Sequence, residues 1–352
     1  MIKKTHLILL LTILLCSCKP SQVLKNTFFS SVKIDTLLSE KISIRPITVS
    51  SDKVWYAADK NRIGYLSLKD ANKMERSIKK DSLKLEFRSI AQTSTAIFIV
   101  NVGNPAVLYK FSKDLVQKKL VYEEHHEKVF YDSMQFWNDL EGIAVGDPID
   151  DCLSVIITRD GGETWTKLPC DKLPKVVEGE AAFAASNTNI IIKGNATWIV
   201  SGGKKSRVFF SSDKGLTWTV YETPIVQGET MTGIFTADFY DENIGFIAGG
   251  NYEKPTQNFQ NKALSTNGGK TWKLVGEHQG FGYASCIQFV PNSNGNQLVS
   301  VGASGLYYSK DQGATWQQFN TDGSFYTIRF VNDTTAIAAG KNKIVRLVFS
   351  TN

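Results

Sequence analysis

Two arginines and two acids recur at one place in a repeating chain. Arg45 in "SIRPI", Arg88 in "EFRSI", Asp132 in "FYDSM" and Glu180 in "EGEAAF" each open a strand-like run, 43, 44 and 48 residues apart. The run "FYTIRF" places Tyr326 in the same register, and glycine-rich loops add Asp147 in "GDP", Arg207 in "GGKKSR" and Tyr252 in "GGNYE". Guanidinium groups take carboxylates through paired hydrogen bonds. Acids can orient those arginines, receive a basic group or, as a facing pair, cleave a glycoside. On this reading Arg45, Arg88 and Arg207 would hold a carboxylate or an acidic peptide segment. Asp132, Asp147 and Glu180 would be the catalytic candidates if the protein were an enzyme. The alternative is a solvated, internally paired ring of charge that only shapes the mouth.

Such residues converge only if the repeat is a ring. Four near-copies of one octapeptide, "TRDGGETW", "SSDKGLTW", "STNGGKTW" and "SKDQGATW", start at Thr158, Ser211, Ser265 and Ser309. Spacings of about fifty residues signal a repeat architecture. Each copy lies between two runs rich in β-branched and aromatic residues, which reads as a hairpin. Two further strand-like runs precede each hairpin, and four strands per repeat make a propeller blade. Blades beginning near Ile42, Leu85, Val129, Glu180, Met231, Gly282 and Ser324 give an all-β, seven-bladed β-propeller. The last has three strands, and the lone run at Ser31–Leu38 is expected to supply the fourth and close the ring.

Within the octapeptide, Asp160, Asp213, Asn267 and Asp311 can accept backbone N–H bonds and the glycines allow a left-handed turn. The tryptophans would bury area between blades. The motif resembles the Asp-box, or BNR repeat, of sialidase-like propellers, which implies a structural element on the face away from the site. Longer stretches, "FYDSMQFWNDLEGIAVGDP", "EGEAAFAAS", "KSRVFFSSDKGLTW" and "GIFTADFYDENIGFIAGGNY", resemble the photosystem II stability/assembly factor-like propellers of bacterial envelopes. That resemblance covers about Ile42 to Phe349 and implies a non-catalytic binding or assembly role, although some relatives are labelled oxidoreductases.

The chain lacks a Gly-x-Gly-x-x-Gly fingerprint and a Cys-x-x-Cys-His haem site, and no cofactor is expected. Nor is a metal, since His125 and His126 are adjacent and without ligand spacing. A sialidase would need an arginine triad. "SIRPI" matches the Arg-Ile-Pro element of that family only loosely, and "GYASC" has Ala284 or Ser285 where an arginine might stand. Catalysis is left open, with a glycan hydrolase or an oxidoreductase as the alternatives to a binder of protein, peptide or glycan.

The first residues read as an export address. Lys3 and Lys4 precede the nine-residue apolar run Leu7–Leu15, too short to span a bilayer. "LCSC" resembles a lipobox, which makes Cys18 the lipidated mature N-terminus, residues 1–17 the signal peptide, 18–30 a tether and 31–352 the propeller. Lys19 after the anchor favours the outer membrane, with the lipid as the only membrane contact. Removing residues 1–17 lowers the formal charge from +6 to +4. That is too mild for nucleic acid, and a monomer is expected. Opposed positions in the first octapeptide hairpin sum to about 322, which pairs Cys152 with Cys170 in a disulfide and leaves Cys286 free. Cys18→Ala should abolish lipidation and release the protein from the detergent phase of fractionated envelopes. Unchanged partitioning would refute the anchor.

Overall fold

The computed structural model describes residues 27–352 except Ser51, Ala71 and Asn352. Cys18 and the signal segment lie outside the described residues. Strands dominate, and the only helical element among the described residues is one 3-10 turn, Cys170–Lys172. Seven antiparallel sheets form seven blades. Their innermost strands are Ile47–Val49, Glu86–Gln92, Tyr131–Phe136, Ile190–Lys193, Thr232–Phe239, Cys286–Phe289 and Phe325–Phe330.

Blade seven closes the ring. The segment Thr335–Thr351 reverses at Asn342, whose φ of +66° suits asparagine, and the Phe349 amide bonds the Thr334 carbonyl at 2.8 Å. Its first arm pairs with Phe325–Phe330 and its second with Phe29–Ser43, in a register that sets Val32 opposite Phe349. The N-terminal strand is thus the outermost strand of the last blade, which covers an edge that would otherwise be open.

The octapeptides act as staples between blades. Asp311 shows the pattern: its carboxylate accepts from Ser309 Oγ at 2.9 Å, Thr315 N at 2.8 Å and Thr315 Oγ1 at 2.6 Å. Asn267 does the same work by accepting from Thr271 N at 3.0 Å and donating to Thr271 Oγ1 at 2.8 Å. Each turn also bonds the inner hairpin of its own blade, as Gln312 N does to Asn296 O at 2.8 Å. Gly162 (φ +75°) and Gly313 (φ +83°) press against Phe98 and Phe246 of the preceding blades, where a Cβ would come within 2.3 and 2.5 Å of the rings. The tryptophans are less buried than the sequence suggests. Trp165 is buried, whereas Trp218, Trp272 and Trp316 are half-buried, each bonding the glycine carbonyl of its own turn.

The disulfide joins Cys152 to Cys170 with Cα atoms 5.5 Å apart, and Cys286 is free and buried. The hairpin register differs by one residue from the one read in the sequence, since Ile156 faces Lys167 and Ile157 faces Thr166. The outer strand ends at Lys167, and the 3-10 turn brings Cys170 back to Cys152.

The fourth blade departs from the expected repeat. Glu180 does not begin its inner strand; Glu180–Ala181 is a two-residue strand paired with Gly202–Gly203 at the edge of the blade-five sheet. Residues 185–189, "ASNTN", instead cross the axis of the ring before Ile190–Lys193 begins.

Burial raises the Asp160 pKa, but hydrogen bonds from Thr164 and Thr158 outweigh it and hold the carboxyl down at about 2; Asp213 and Asp311 are lowered in the same way. A carboxylate lowered on folding adds stability above its unfolded value of about 3.9 and loses it as pH falls through the folded value. Asp311→Ala should therefore cost roughly 1–3 kcal/mol at pH 6, and Asp311→Asn much less, because Asn267 already serves in one copy. Thermal unfolding between pH 5 and 2 should show a smaller acid loss in Asp311→Asn than in wild type, and equal slopes would contradict this account.

Candidate functional site

Four inner strands carry a β-bulge at one height. The pairing skips Arg88 between Phe87 and Ser89, Asp132 between Tyr131 and Ser133, Phe235 between Ile234 and Thr236, and Tyr326 between Phe325 and Thr327. A bulge leaves one residue unpaired and re-aims its side chain. The neighbouring strand answers with glycine in three of these blades. A Cβ on Gly146 would sit 2.2 Å from the Phe130 carbonyl oxygen, and one on Gly340 would sit 1.9 Å from that of Ser324. The recurring "IAVG" and "IAAG" endings are the sequence trace of this close approach.

Beneath the mouth the channel is filled. Asn187, at φ +61°, accepts through Oδ1 from Ser89 Oγ and from the Met134 amide, both at 3.0 Å, and donates through Nδ2 to the Ile90 carbonyl at 2.8 Å. Ser186 donates to the Ser285 carbonyl at 2.6 Å and accepts at its own carbonyl from Arg329 Nη2 at 2.9 Å. Thr188 reaches Thr236 at 2.8 Å, and Arg45 Nη1 donates to the Ala185 carbonyl at 3.3 Å. This plug from blade four therefore bonds residues of all six other blades.

The predicted rim residues fall into three groups. Arg45 and Tyr326 form one, with the guanidinium 4.6 Å from the ring centre. They adjoin an aromatic cluster in which Phe183 stacks on Phe235 at 4.0 Å, Tyr283 meets Phe235 edge-on at 4.8 Å, and half-exposed Tyr252 lies 5.1 Å from Tyr283. Phe183, Phe235 and Tyr283 were not expected from sequence, although Phe235 occupies the bulge position in "GIFTADF".

Glu180 and Arg207 form the second group, a bidentate pair at 2.9 and 2.5 Å. Ser201 Oγ and the Val177 amide also donate to Glu180, whose side chain is fully buried. Arg207 is thereby held in place and not offered to a ligand.

Asp132 and Asp147 form the third. They line an open cleft of about 720 Å³ together with Arg88, Lys128, Asp150 and Glu178. Asp132 is fully buried and neither carboxyl oxygen has a hydrogen-bond partner; the Ala184 amide approaches without completing a bond. Burial above all, and the charge of Asp147 next, push its pKa well up against the opposing pull of Arg88. Burial likewise raises Asp147 to about 7, although it accepts from the Ala182 amide at 3.1 Å. Arg88 is itself tied to Glu86 at 2.8 Å. The disulfide lies next to one wall of this cleft: Cys152 pairs with Lys175 in a single β-bridge beside the lining residues Asp151 and Val176, and the Val176 amide bonds the Asp151 carbonyl at 2.8 Å.

With this geometry in view, the comparisons agree on architecture. The BNR/Asp-box repeat model matches residues 156–167 and 307–318. "YCF48 bound to D1 peptide" superposes with a TM-score of 0.62 at 14% identity, over 92% of this chain and 98% of that one. The fold is that of YCF48. YCF48 from Cyanidioschyzon merolae gives 0.62 at 12% identity over 91% and 98% of the two chains. The RRP9 WD40 repeats give 0.64 at 10% identity over 92% and 100%. No curated protein sequence matches. The chain is a propeller of the photosystem II assembly factor type in fold, and sharing that architecture with RRP9 shows that fold alone assigns no task.

A carboxyl raised on folding contributes stability below its unfolded pKa and loses it as pH rises through the folded value. For Asp147 that window runs from about 4 to about 7, and for Asp132, raised chiefly by burial, it opens at about 4 and extends well above it. Asp132→Asn should leave the melting temperature unchanged at pH 4.5 and stabilise the protein at pH 8.5 by roughly 1–3 kcal/mol. Destabilisation at pH 8.5 would show that the acid has a partner there.

Proposed function

We propose that this chain is an exported, lipid-tethered propeller that binds a polypeptide partner at its top-face cleft without catalysing a reaction. The observation that carries the reading is the open cleft of about 720 Å³ beside a plug braced by every other blade. Such a surface is preformed, so little ordering cost attends binding. One wall includes Glu180–Ala181, the terminal strand of a six-stranded sheet, and strand edges accept extended peptides. YCF48, which shares this fold, has been solved with a D1 peptide bound. Arg45, which is partly exposed, and Arg88, whose single bond to Glu86 lies open to solvent, are the groups left for an acidic or carboxylate-bearing segment, since Arg207 is held by two bonds to the buried Glu180.

The Asp132–Asp147 pair favours hydrolysis as a second reading, because two acids with raised pKa values line one cleft. Glycoside cleavage needs both carboxyls on the scissile bond, and the Asp132 oxygens have no solvent access here. Binding is the better account.

Capture from intact envelopes, read by mass spectrometry, tests the proposal. Val177 is 41% exposed on the cleft wall, so Val177→Trp should fill the cleft without unfolding the chain and reduce capture about tenfold, or ~1.4 kcal/mol. Arg88→Ala should weaken capture several-fold with the melting temperature nearly unchanged. A partner retained equally by both variants would place the binding surface elsewhere.

A further inference from the structure

The structure assigns a charge preference to one part of the cleft. We propose that Asp147, with Asp132 behind it, forms a subsite for one basic side chain of the bound polypeptide, a lysine ammonium or an arginine guanidinium, and that its docking expels a proton from the carboxyl pair. This inference rests on the peptide-binding reading above.

Asp132 is the group in need of a partner. A carboxylate without a donor is among the least tolerable groups in a protein interior, yet this one stands at a bulge aimed into the cleft, buried and unpartnered. The neutral acid fares little better, because its O–H also needs an acceptor. Asp147 beside it has a single backbone donor and is partly open to the cleft.

The surrounding charges leave the demand unmet. Arg88 faces the pair from blade two but is bonded to Glu86. Across the cleft Glu180 is neutralised by Arg207, and Asp151 lies 2.5 Å from Lys175. What remains around the pair is Asp150 and Glu178 against Lys128. The surroundings of the pair carry a net negative charge even while it holds its protons, which disfavours a carboxylate beside it and favours a cation. A divalent metal is the poorer guest, since among the described residues no group of three or more His, Cys, Asp or Glu side chains could hold one. An ammonium or guanidinium brings several donors and one charge, which is what two acid groups and one proton-rich pocket lack.

The step balances simply. A protonated carboxyl and a ligand ammonium become a carboxylate–ammonium pair, and one proton leaves to solvent. By linkage, affinity must then rise with pH, at most tenfold per unit, across the range where the pair titrates.

The test uses the full chain and three capped pentapeptides, Ala-Ala-Lys-Ala-Ala and its norleucine and glutamate counterparts, followed by carboxyl-carbon NMR and by calorimetry in two buffers of different ionisation enthalpy. The lysine peptide should bind best, gain about tenfold between pH 5.5 and 7.5, release up to about one proton, and shift the Asp132 and Asp147 carboxyl resonances. Asp132→Asn should abolish most of the proton release and flatten the pH profile, and Asp147→Asn should remove the lysine preference. Failure of the lysine peptide to bind at pH 8 overturns the subsite, as does equal binding of lysine and norleucine peptides or a pH slope that survives both substitutions. The broader reading is judged separately. If Val177→Trp still reduces capture of the envelope partner about tenfold while the lysine peptide fails, peptide binding stands without this subsite; if capture is unchanged, both fall.

Discussion

Asn187 holds the ring together from the inside. A set of seven wedge-shaped sheets leaves a channel on its axis, and polar backbone facing that channel must find partners or water. Here one five-residue segment supplies the partners. Its amide side chain alone ties blade four to blades two and three, and its neighbours reach blades one, five, six and seven. Each bond is worth only about 0.5–1.5 kcal/mol net, but together they fix the relative rotation of the blades. The bulged side chains of the mouth are held in register by the same bonds, so the geometry of the cleft depends on a segment that does not line it.

The cleft can therefore afford features that a looser site could not. Two acids with suppressed ionisation persist because the wall behind them cannot relax; the disulfide, the Cys152–Lys175 bridge and the Glu180–Arg207 pair all brace the same loop pair. Stability and readiness to bind oppose each other at this spot. Elsewhere the carboxylates of the Asp-box turns are satisfied and favour the folded state, so the pH dependence of the molecule divides between its two faces.

Periodic features of the fold were legible in the sequence. The octapeptides, the blade count and the closing strand follow from repeated residue types at repeated spacing. Arg45, Arg88, Asp132 and Tyr326 lie on the mouth because the repeat fixes their height. What repetition cannot show is the exception. "EGEAAF" reads as the start of an inner strand, and only the three-dimensional ring turns the residues that follow it into a plug and displaces Glu180 from the position that alignment gives it. Arg207 looked available because its partner, Glu180, is 27 residues away and meets it through tertiary packing. The cysteine pair was identifiable although the hairpin register was one residue off, since a short turn absorbed the difference. Pairing between charges depends on contacts of this kind and leaves no local pattern.

The closing strand also gives the molecule a direction. Phe29–Ser43 enters at the Asp-box end, where the Lys310 ammonium lies 5.6 Å from the Phe28 ring and the Phe29 amide bonds the Tyr308 hydroxyl at 3.2 Å, and it runs toward the mouth. The described chain thus begins on the face opposite the cleft. A lipid on Cys18 would moor the propeller by its floor, at the end of a leash no longer than about 35 Å when fully extended. The cleft would then look away from the bilayer, toward partners in the aqueous space or on a facing membrane, and lipid headgroups of the home leaflet would be beyond its view.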